Sequence, residues 1–159
     1  IDDLTTIYKS FDIFYPKFYK MNRLCKLGFV GVEDLLSGYE VFINSIPKDR
    51  IATIFVNHSS SITSDFPHAS SLKKEGAIQS PAEFVYTLPN ILNGELAIRH
   101  GWSGYNAFYL KSNFDAAFLK EQLQLAALSQ PIDACILGYV ETNLEENYYS
   151  YRLELVSLI

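Results

Sequence analysis

Three histidines, His58, His68 and His100, are the side chains of this sequence best suited to acid–base chemistry near neutral pH. The first two flank a serine-rich stretch that also contains Asp65, so a Ser/His/Asp set can be drawn there. Closeness in sequence is not the geometry that such a set requires, so hydrogen bonding within a surface loop is the favoured interpretation and catalysis the alternative. His100 follows Arg99, and cationic groups at that point suit the C-terminus of a helix.

Metal binding and thiol chemistry gain little support from the spacing of the possible ligands. The histidines show no i, i+4 pair that would place two imidazoles on one helix face. Cys25 and Cys135 are far apart, and a domain with its own core does not need a disulfide. We therefore expect no metal, no cofactor and a reducing, cytoplasmic location.

Lys17, Lys20, Arg23 and Lys26 recur at every third position. On a helix this spacing gives a slowly drifting basic ridge, here on a chain whose formal net charge is -5. The ridge predicts an acidic partner attracted by charge, and an ordinary solvated helix face is the alternative; Lys111 could belong to either. The acidic balance argues against nucleic acid, whose binding draws mainly on Lys and Arg.

Length and composition predict one folded domain over residues 1–159. A hydrophobic fraction of 48% and a charged fraction of 19% are ordinary for a globular protein and argue against disorder. Aromatic residues are plentiful at 14%, which indicates apolar surface that a core or a partner must cover. No apolar run approaches the ~18 residues of a spanning helix, so no membrane partner is expected.

Hydrophobic spacing predicts three helices. Apolar residues recur mostly at three-residue steps over residues 17–36. A Ser-Pro pair with a following acid opens a second helix over residues 80–100, which Pro89 should kink or split. Residues 115–129 have helical spacing as well, whereas the polar, Pro-containing residues 58–80 predict a loop.

Four segments have the character of strands. Residues 51–56 are β-branched and apolar, typical of a strand that is buried on both faces. Residues 107–110 form a short strand, residues 134–140 a strong one, and residues 149–155 alternate between apolar and polar. A polar turn over residues 141–147 separates the last two. The alternation of strands and helices predicts a layered α/β fold.

Four stretches in one order resemble the N-terminal half of the β-ketoacyl synthases, which belong to the thiolase-like superfamily. They are a Lys-Met-Asn-Arg run within residues 18–24, where the family has Met-Asp-Arg; a central strand at residues 52–57; a Ser-Pro start, Thr-Leu-Pro-Asn centre and Gly-containing tail within residues 80–99; and a strand at residues 133–138. The third stretch is the most specific. Together they cover residues 18–141.

The resemblance implies a thiolase-like half fold, with a mixed sheet covered by helices. In the family the fourth strand ends in paired glycines and a glutamate. Here Gly138 stands at the first glycine position, Tyr139 occupies the second, and Glu141 is the glutamate.

Counting from Gly104, the family's nucleophilic cysteine falls at Asn113. A carboxamide cannot accept an acyl group, because only a thiolate or an activated hydroxyl forms the acyl intermediate. Ser112 is the only hydroxyl at this turn and a weak catalytic candidate, whereas capping of the next helix is the default interpretation. The family's decarboxylating pair lies in its other half, which these residues do not match.

We therefore expect a pseudoenzyme, a non-catalytic ketosynthase-like subunit that assists acyl or polyketide chain synthesis, as in fatty acid biosynthesis, through dimerisation or scaffolding. The strand at residues 107–110 would pair across a two-fold axis, giving a homodimer or a heterodimer with another ketosynthase. An acyl carrier protein would meet the basic side chains of Lys17, Lys20, Arg23, Lys26 and Lys111. The alternatives are an acyl-thioester hydrolase using Ser112 or a loop histidine, and a homodimer that binds a small acyl or aromatic ligand.

Overall fold

A four-stranded mixed sheet organises the chain, in a computed structural model that describes residues 3–73, 76, 80–145 and 148–159. The strands are β1 (Ile51–Asn57), β2 (Asn106–Leu110), β3 (Ala134–Thr142) and β4 (Tyr149–Ser157). Their order across the sheet is β2-β1-β3-β4. β1 pairs in parallel with β2 and β3, and β4 runs antiparallel to β3. The predicted α/β class with a mixed sheet and covering helices is confirmed.

Helices lie on both faces of this sheet. The α-helices are α1 (Asp3–Ser10), α2 (Arg23–Leu36), α3 (Glu40–Ser45), α4 (Ile62–Leu72), α5 (Pro81–Val85), α6 (Ile91–His100) and α7 (Ala116–Ser129). Two short 3₁₀ helices occupy Pro16–Lys20 and Lys48–Arg50. In the part of the chain that the structure describes, no helix has the length and apolar character needed to cross a bilayer.

The central strand separates two hydrophobic clusters. All residues of β1 are buried, as the sequence predicted for a strand covered on both faces. Ile51 and Phe55 pack with α2 and α6, whereas Ile54 and Val56 pack with α7. The side chains alternate because successive residues of a strand point to opposite faces.

The predicted helix over residues 17–36 is wrong in its first turn. Pro16–Lys20 is a separate 3₁₀ helix, and α2 begins only at Arg23. The break arises because the side chain of Asn22 accepts a hydrogen bond from the backbone N–H of Cys25 at 2.8 Å. An asparagine in that role caps a new helix and does not continue an old one.

The predicted loop over residues 58–80 is also wrong, because α4 lies within it and includes Pro67. None of its residues is buried, so it carries no apolar period from which a helix could be predicted. The segment over residues 80–100 behaves as predicted. It splits at Pro89 into α5 and α6, and the hydroxyl of Ser80 caps α5 by accepting from the N–H of Glu83 at 3.3 Å.

The other predicted strands and the last helix are confirmed as β2, β3, β4 and α7. The predicted turn over residues 141–147 starts too early, because Glu141 and Thr142 still belong to β3. Its residues 146 and 147 lie outside the described part of the chain. Gly138 has a φ of 158°, and a Cβ there would meet the backbone of Arg152 on β4. A glycine is therefore required where β3 and β4 approach.

Candidate functional site

The carboxyl ends of the three parallel strands meet at one edge of the sheet, the place where open α/β sheets commonly bind ligands. His58 follows β1, Lys111 follows β2, and Glu141 lies near the end of β3. The N–H of Lys111 donates to the carbonyl of Asn57 at 2.8 Å, which joins the first two of these loops. The topology thus brings several of the sequence candidates to a single edge.

Glu141 organises the loop after β1. Its side chain is 3% exposed, and Oε2 accepts hydrogen bonds from the N–H of His58 at 2.7 Å and of Ser59 at 3.2 Å. The hydroxyl of Tyr139 donates to the same oxygen at 2.9 Å. Burial and this bond to Glu141 raise the pKa of the Tyr139 phenol. Tyr139 therefore serves as a third donor to the carboxylate.

The side chain of Asn57 stabilises the same loop by hydrogen bonds to Ser60. The side chain is fully buried; Oδ1 accepts from the N–H of Ser60 at 3.0 Å, and Nδ2 donates to the carbonyl of Ser60 at 2.8 Å. Ser60 has a φ of 53°, in the left-handed region that non-glycine residues rarely occupy. The two hydrogen bonds offset the cost of this backbone conformation.

The alternative Ser/His/Asp set is not assembled, as the caution about its geometry anticipated. Ser61 is fully buried, and its Oγ lies 2.6 Å from the carbonyl of Thr87 and 2.9 Å from Oδ1 of Asp65. Its one proton serves one of these two acceptors. Among the described residues, no hydrogen bond links the imidazole of His58 or of His68 to this serine or aspartate. The described residues also hold no cluster of three or more ligands for a metal ion.

The turn between β2 and α7 exposes both Ser112 and Asn113. The expectation that Ser112 caps the next helix is wrong, because the cap is Asp115, whose Oδ1 accepts from the N–H of Phe118 at 2.9 Å. This bond, helped by Lys111, lowers the pKa of Asp115. Lys111 lies 3.3 Å from the Asp115 carboxylate and 4.5 Å from the ring centroid of Phe118. Local contacts thus hold the lysine at this turn.

Neither thiol stands at that turn. Cys25 lies in the first turn of α2 and is 1% exposed, and Cys135 lies in β3 and is fully buried. Burial, with the carboxylate of Glu95 as a second cause, raises the pKa of the Cys25 thiol. Burial raises the pKa of Cys135 to about 12. Both groups are therefore protonated at neutral pH, which removes the nucleophilic thiolate.

The basic ridge is not one helix face. Lys17 and Lys20 lie on the 3₁₀ helix, and Arg23 and Lys26 lie on α2, beyond the break. Lys17 pairs with the buried Glu95 at 2.8 Å, and Lys26 lies 5.7 Å from the centroid of an aromatic ring. Arg23 donates to a backbone carbonyl at 3.3 Å. Most of these cations therefore hold the fold together, so the predicted spacing does not produce a continuous docking surface.

A polar group that the sequence did not reveal lies at the C-terminal end of α6. Arg99 Nε donates to Oε1 of Glu33 at 2.8 Å, and His100 Nε2 lies 3.4 Å from the same oxygen, too poorly aligned for a hydrogen bond. The His100 ring stacks on Trp102 at 4.2 Å. Burial, then Arg99 and Lys48, lowers the pKa of His100 to about 4. The sequence predicted cationic groups at this helix end, but only Arg99 is one near pH 7, because the lowered pKa leaves His100 neutral. The partner of Arg99, Glu33, is 66 positions away.

Glu33, Arg99 and His100 border a cavity of about 480 Å³ between α2, α3, α6 and the end of α1 with residues 11–13. The comparisons with known proteins do not assign a role to it or to any other site. No protein-family model matches the chain, and a search of the curated proteins finds no match.

Proposed function

We propose that this chain is a non-catalytic, ketosynthase-like subunit that assists acyl or polyketide chain synthesis by dimerising with a catalytic partner or scaffolding it. The main support for this proposal is the turn between β2 and α7. The exposed amide of Asn113 stands where the resemblance expects a thiol, and Cys25 and Cys135 are buried elsewhere. An amide cannot form the acyl intermediate of condensation. Among the described residues Ser112 makes no hydrogen bond to a base, so the hydrolase alternative lacks support.

The open edge of β2 supports pairing with a partner. β2 lies at one end of the sheet, and the carbonyl of Tyr105 and the N–H of Lys111 both bond to β1. Backbone groups of alternate strand residues point to opposite sides, so those of Asn106, Phe108 and Leu110 point away from β1. A second β2 strand, antiparallel about a two-fold axis, would satisfy these groups.

Apolar side chains beside that edge favour the same arrangement. Leu110 is 58% exposed at the end of β2. Helix α6 packs beside the strand, since Nδ2 of Asn93 donates to the carbonyl of Ala107 at 3.3 Å, and the same helix exposes Ile98. Open edges with apolar neighbours promote aggregation unless a partner covers them. A homodimer or a ketosynthase heterodimer would cover this surface.

We also propose an acyl carrier protein as a partner, although fewer basic side chains are available to bind it than the sequence predicted. Lys17 and Lys111 are paired with carboxylates, Arg23 donates to a backbone carbonyl and Lys26 lies over an aromatic ring, so Lys20 is the basic side chain best placed to meet an acidic partner. Exposed charges of this kind act mainly on the association rate, so the interaction should weaken as salt increases.

The edge can be tested with Leu110→Pro, which removes one outward N–H without touching the bonds to β1. A second variant, Leu110→Asp, places a charge at the same point. Native mass spectrometry and light scattering, on the chain alone and mixed with an active β-ketoacyl synthase, should show a dimer that both variants lose. Leu128→Lys is the matched control, because this side chain is 85% exposed on α7, away from β2.

Two results would contradict the proposal. A chain that stays monomeric alone, and neither co-elutes with the synthase nor changes its product length, would exclude the subunit role. Acyl transfer by the isolated chain would exclude its non-catalytic character.

A further inference from the structure

Helix α4 places its polar side towards the protein and its apolar side towards solvent. Five residues on one helical face border a cavity of about 350 Å³; they are Thr63, Ser64, the exposed Pro67, His68 and Ser71. Phe66 and Leu72 are 61% and 57% exposed. A helix that packs on a core shows the reverse pattern, so the inner face of α4 suits a polar occupant.

Two other segments complete the wall of this cavity. Lys20, Met21 and Asn22 border it where the 3₁₀ helix meets α2. Glu83 borders it from α5, and Tyr86 borders it from the position directly after that helix. The volume falls within the range of small-molecule sites, which combine apolar walls with a few convergent polar groups.

Several hydrogen-bonding groups in this wall are unsatisfied in the described part of the chain. Oγ1 of Thr63 and Nδ1 of His68 are buried atoms without a hydrogen-bond partner. Oγ of Ser64 accepts from Nδ2 of Asn22 at 2.8 Å, so its own proton is still available. Pro67 has no N–H to donate to the carbonyl of Thr63, four residues earlier in the helix. Ser64 can therefore donate its proton to a ligand, whereas Oγ1 of Thr63 and Nδ1 of His68 are buried behind the cavity wall.

The charges at the cavity are of both signs. Lys20 and Glu83 form no ion pair with any described residue. Met21, Pro67 and Tyr86 supply apolar surface between them. A ligand with one anionic group, one cationic group and a short hydrocarbon part would meet all three features.

We infer that this cavity binds a small zwitterion with an apolar side chain, the chemical class of the free amino acids. The ligand carboxylate accepts from Lys20 and from the hydroxyl of Ser64. Its ammonium group donates to Glu83. This site involves neither β2 nor the turn at Asn113, so it goes beyond the proposed subunit role.

The ligand class can be tested with three matched probes. Leucine carries both charges, 4-methylpentanoate lacks the ammonium group, and 3-methylbutylamine lacks the carboxylate. Each is titrated into the labelled full chain while the NMR signals of Thr63, Ser64 and His68 are followed. Leucine should saturate these shifts with a Kd about 10-fold or more below that of either analogue, because each charge-assisted hydrogen bond contributes about one such factor.

Two variants test which side chain binds each charged group of the ligand. Lys20→Met should weaken leucine binding about 10-fold and leave 3-methylbutylamine unchanged, because only the carboxylate contact is lost. Glu83→Gln should weaken leucine and leave 4-methylpentanoate unchanged. The controls are Lys120→Met and Glu121→Gln on α7, which should alter nothing.

Shifts that do not saturate, or equal affinity for all three probes, would overturn the inference. So would an analogue with one charge that binds as tightly as leucine. Leu110→Pro should bind leucine normally, so the fate of the dimer proposal does not decide this test.

Discussion

Nζ of Lys17 lies 2.8 Å from Oε2 of Glu95, a carboxylate that is only 4% exposed. The contact is an ion pair without hydrogen-bond alignment, and the hydroxyl of Tyr86 donates to the other carboxylate oxygen at 3.0 Å. A buried carboxylate is costly unless it has such partners. Lys17 thus stabilises a charge between the 3₁₀ helix and α6, although the sequence placed it among surface cations.

Lys17→Met should lower the free energy of unfolding by about 1 to 3 kcal/mol, because it leaves Glu95 buried without its cation. The loss should stay below that of a fully buried pair, since the Lys17 side chain is 40% exposed. Urea unfolding measures the change. Lys20→Met, the matched control, should cost no more than about 0.5 kcal/mol. Adding Glu95→Gln to the Lys17 variant should recover part of the loss, and equal losses in the two lysine variants would contradict this account.

The loop after β1 should depend on Glu141. Glu141→Ala removes the acceptor for the N–H groups of His58 and Ser59, and should lower the free energy of unfolding by about 2 to 4 kcal/mol. Tyr139→Phe removes one donor and should cost about 1 kcal/mol. Denaturant unfolding gives these values, and hydrogen exchange at the two amides should accelerate in the alanine variant. Exposed Glu154→Ala is the control, and unchanged exchange in Glu141→Ala would show that another group holds the loop.

The helices and strands that could be predicted are those whose apolar residues enter a core. Every residue of β1 is buried, and α7 buries Leu119, Leu123 and Ala126 at helical spacing. Helix α4 was not predicted, because the residues that recur at helical spacing, Thr63, Ser64 and His68, are polar and border a cavity. Hydrophobic periodicity reports burial, so a helix without a buried face produces no such pattern.

Functional groups were harder to predict, because long-range pairing decides their role. Glu141 was identified only through the resemblance, and nothing in the sequence tells that its oxygen accepts from the loop 82 and 83 positions earlier. Lys17 and Glu95 are 78 positions apart, so the spacing of the lysines suggested a surface ridge instead. Spacing within one helix cannot reveal which side chain a second helix brings to it.

The stability of the protein should decrease as the pH is lowered, because of His100. In the unfolded chain its imidazole titrates near 6.5, and in the native protein near 4. The facing groups are Glu33, Arg99 and Lys48; the carboxylate of Glu33 favours the charged imidazole but is already paired with Arg99. Between the two pKa values only the unfolded chain binds the proton, so stability is full above about pH 6.5 and decreases towards pH 4.

The loss should reach about 2 to 3 kcal/mol at the acid end of this window. His100→Asn removes the group, so the pH dependence of its unfolding free energy should be flatter over that interval. Denaturant unfolding at several pH values measures both curves. Parallel curves for wild type and variant would show that His100 keeps its ordinary pKa in the native state.

The start of α7 should depend on Asp115 and not on Ser112. Asp115→Ala removes the acceptor for the N–H of Phe118 and should lower the melting temperature and the helical circular-dichroism signal. Ser112→Ala is the control and should leave both unchanged, since its hydroxyl is exposed in the preceding bend. The hydrogen bond holds the pKa of Asp115 low, so the difference between Asp115→Ala and wild type should shrink as pH falls through that pKa. A melting temperature that falls for Ser112→Ala would restore the serine as the cap.

Thiol reactivity should distinguish the turn after β2 from the core. In the native chain, Cys25 and Cys135 should resist a thiol-specific disulfide reagent and react only after unfolding, because both are buried and protonated. Asn113→Cys places a thiol at an exposed position, so one group should react at the rate of an ordinary free cysteine, whose pKa is about 8.5. The same variant should still not form an acyl-enzyme, since exposure provides a thiol but neither a lowered pKa nor a base to activate it. A stable thioester on Asn113→Cys, detected by mass spectrometry, would contradict this and mean that groups at this turn activate a thiol.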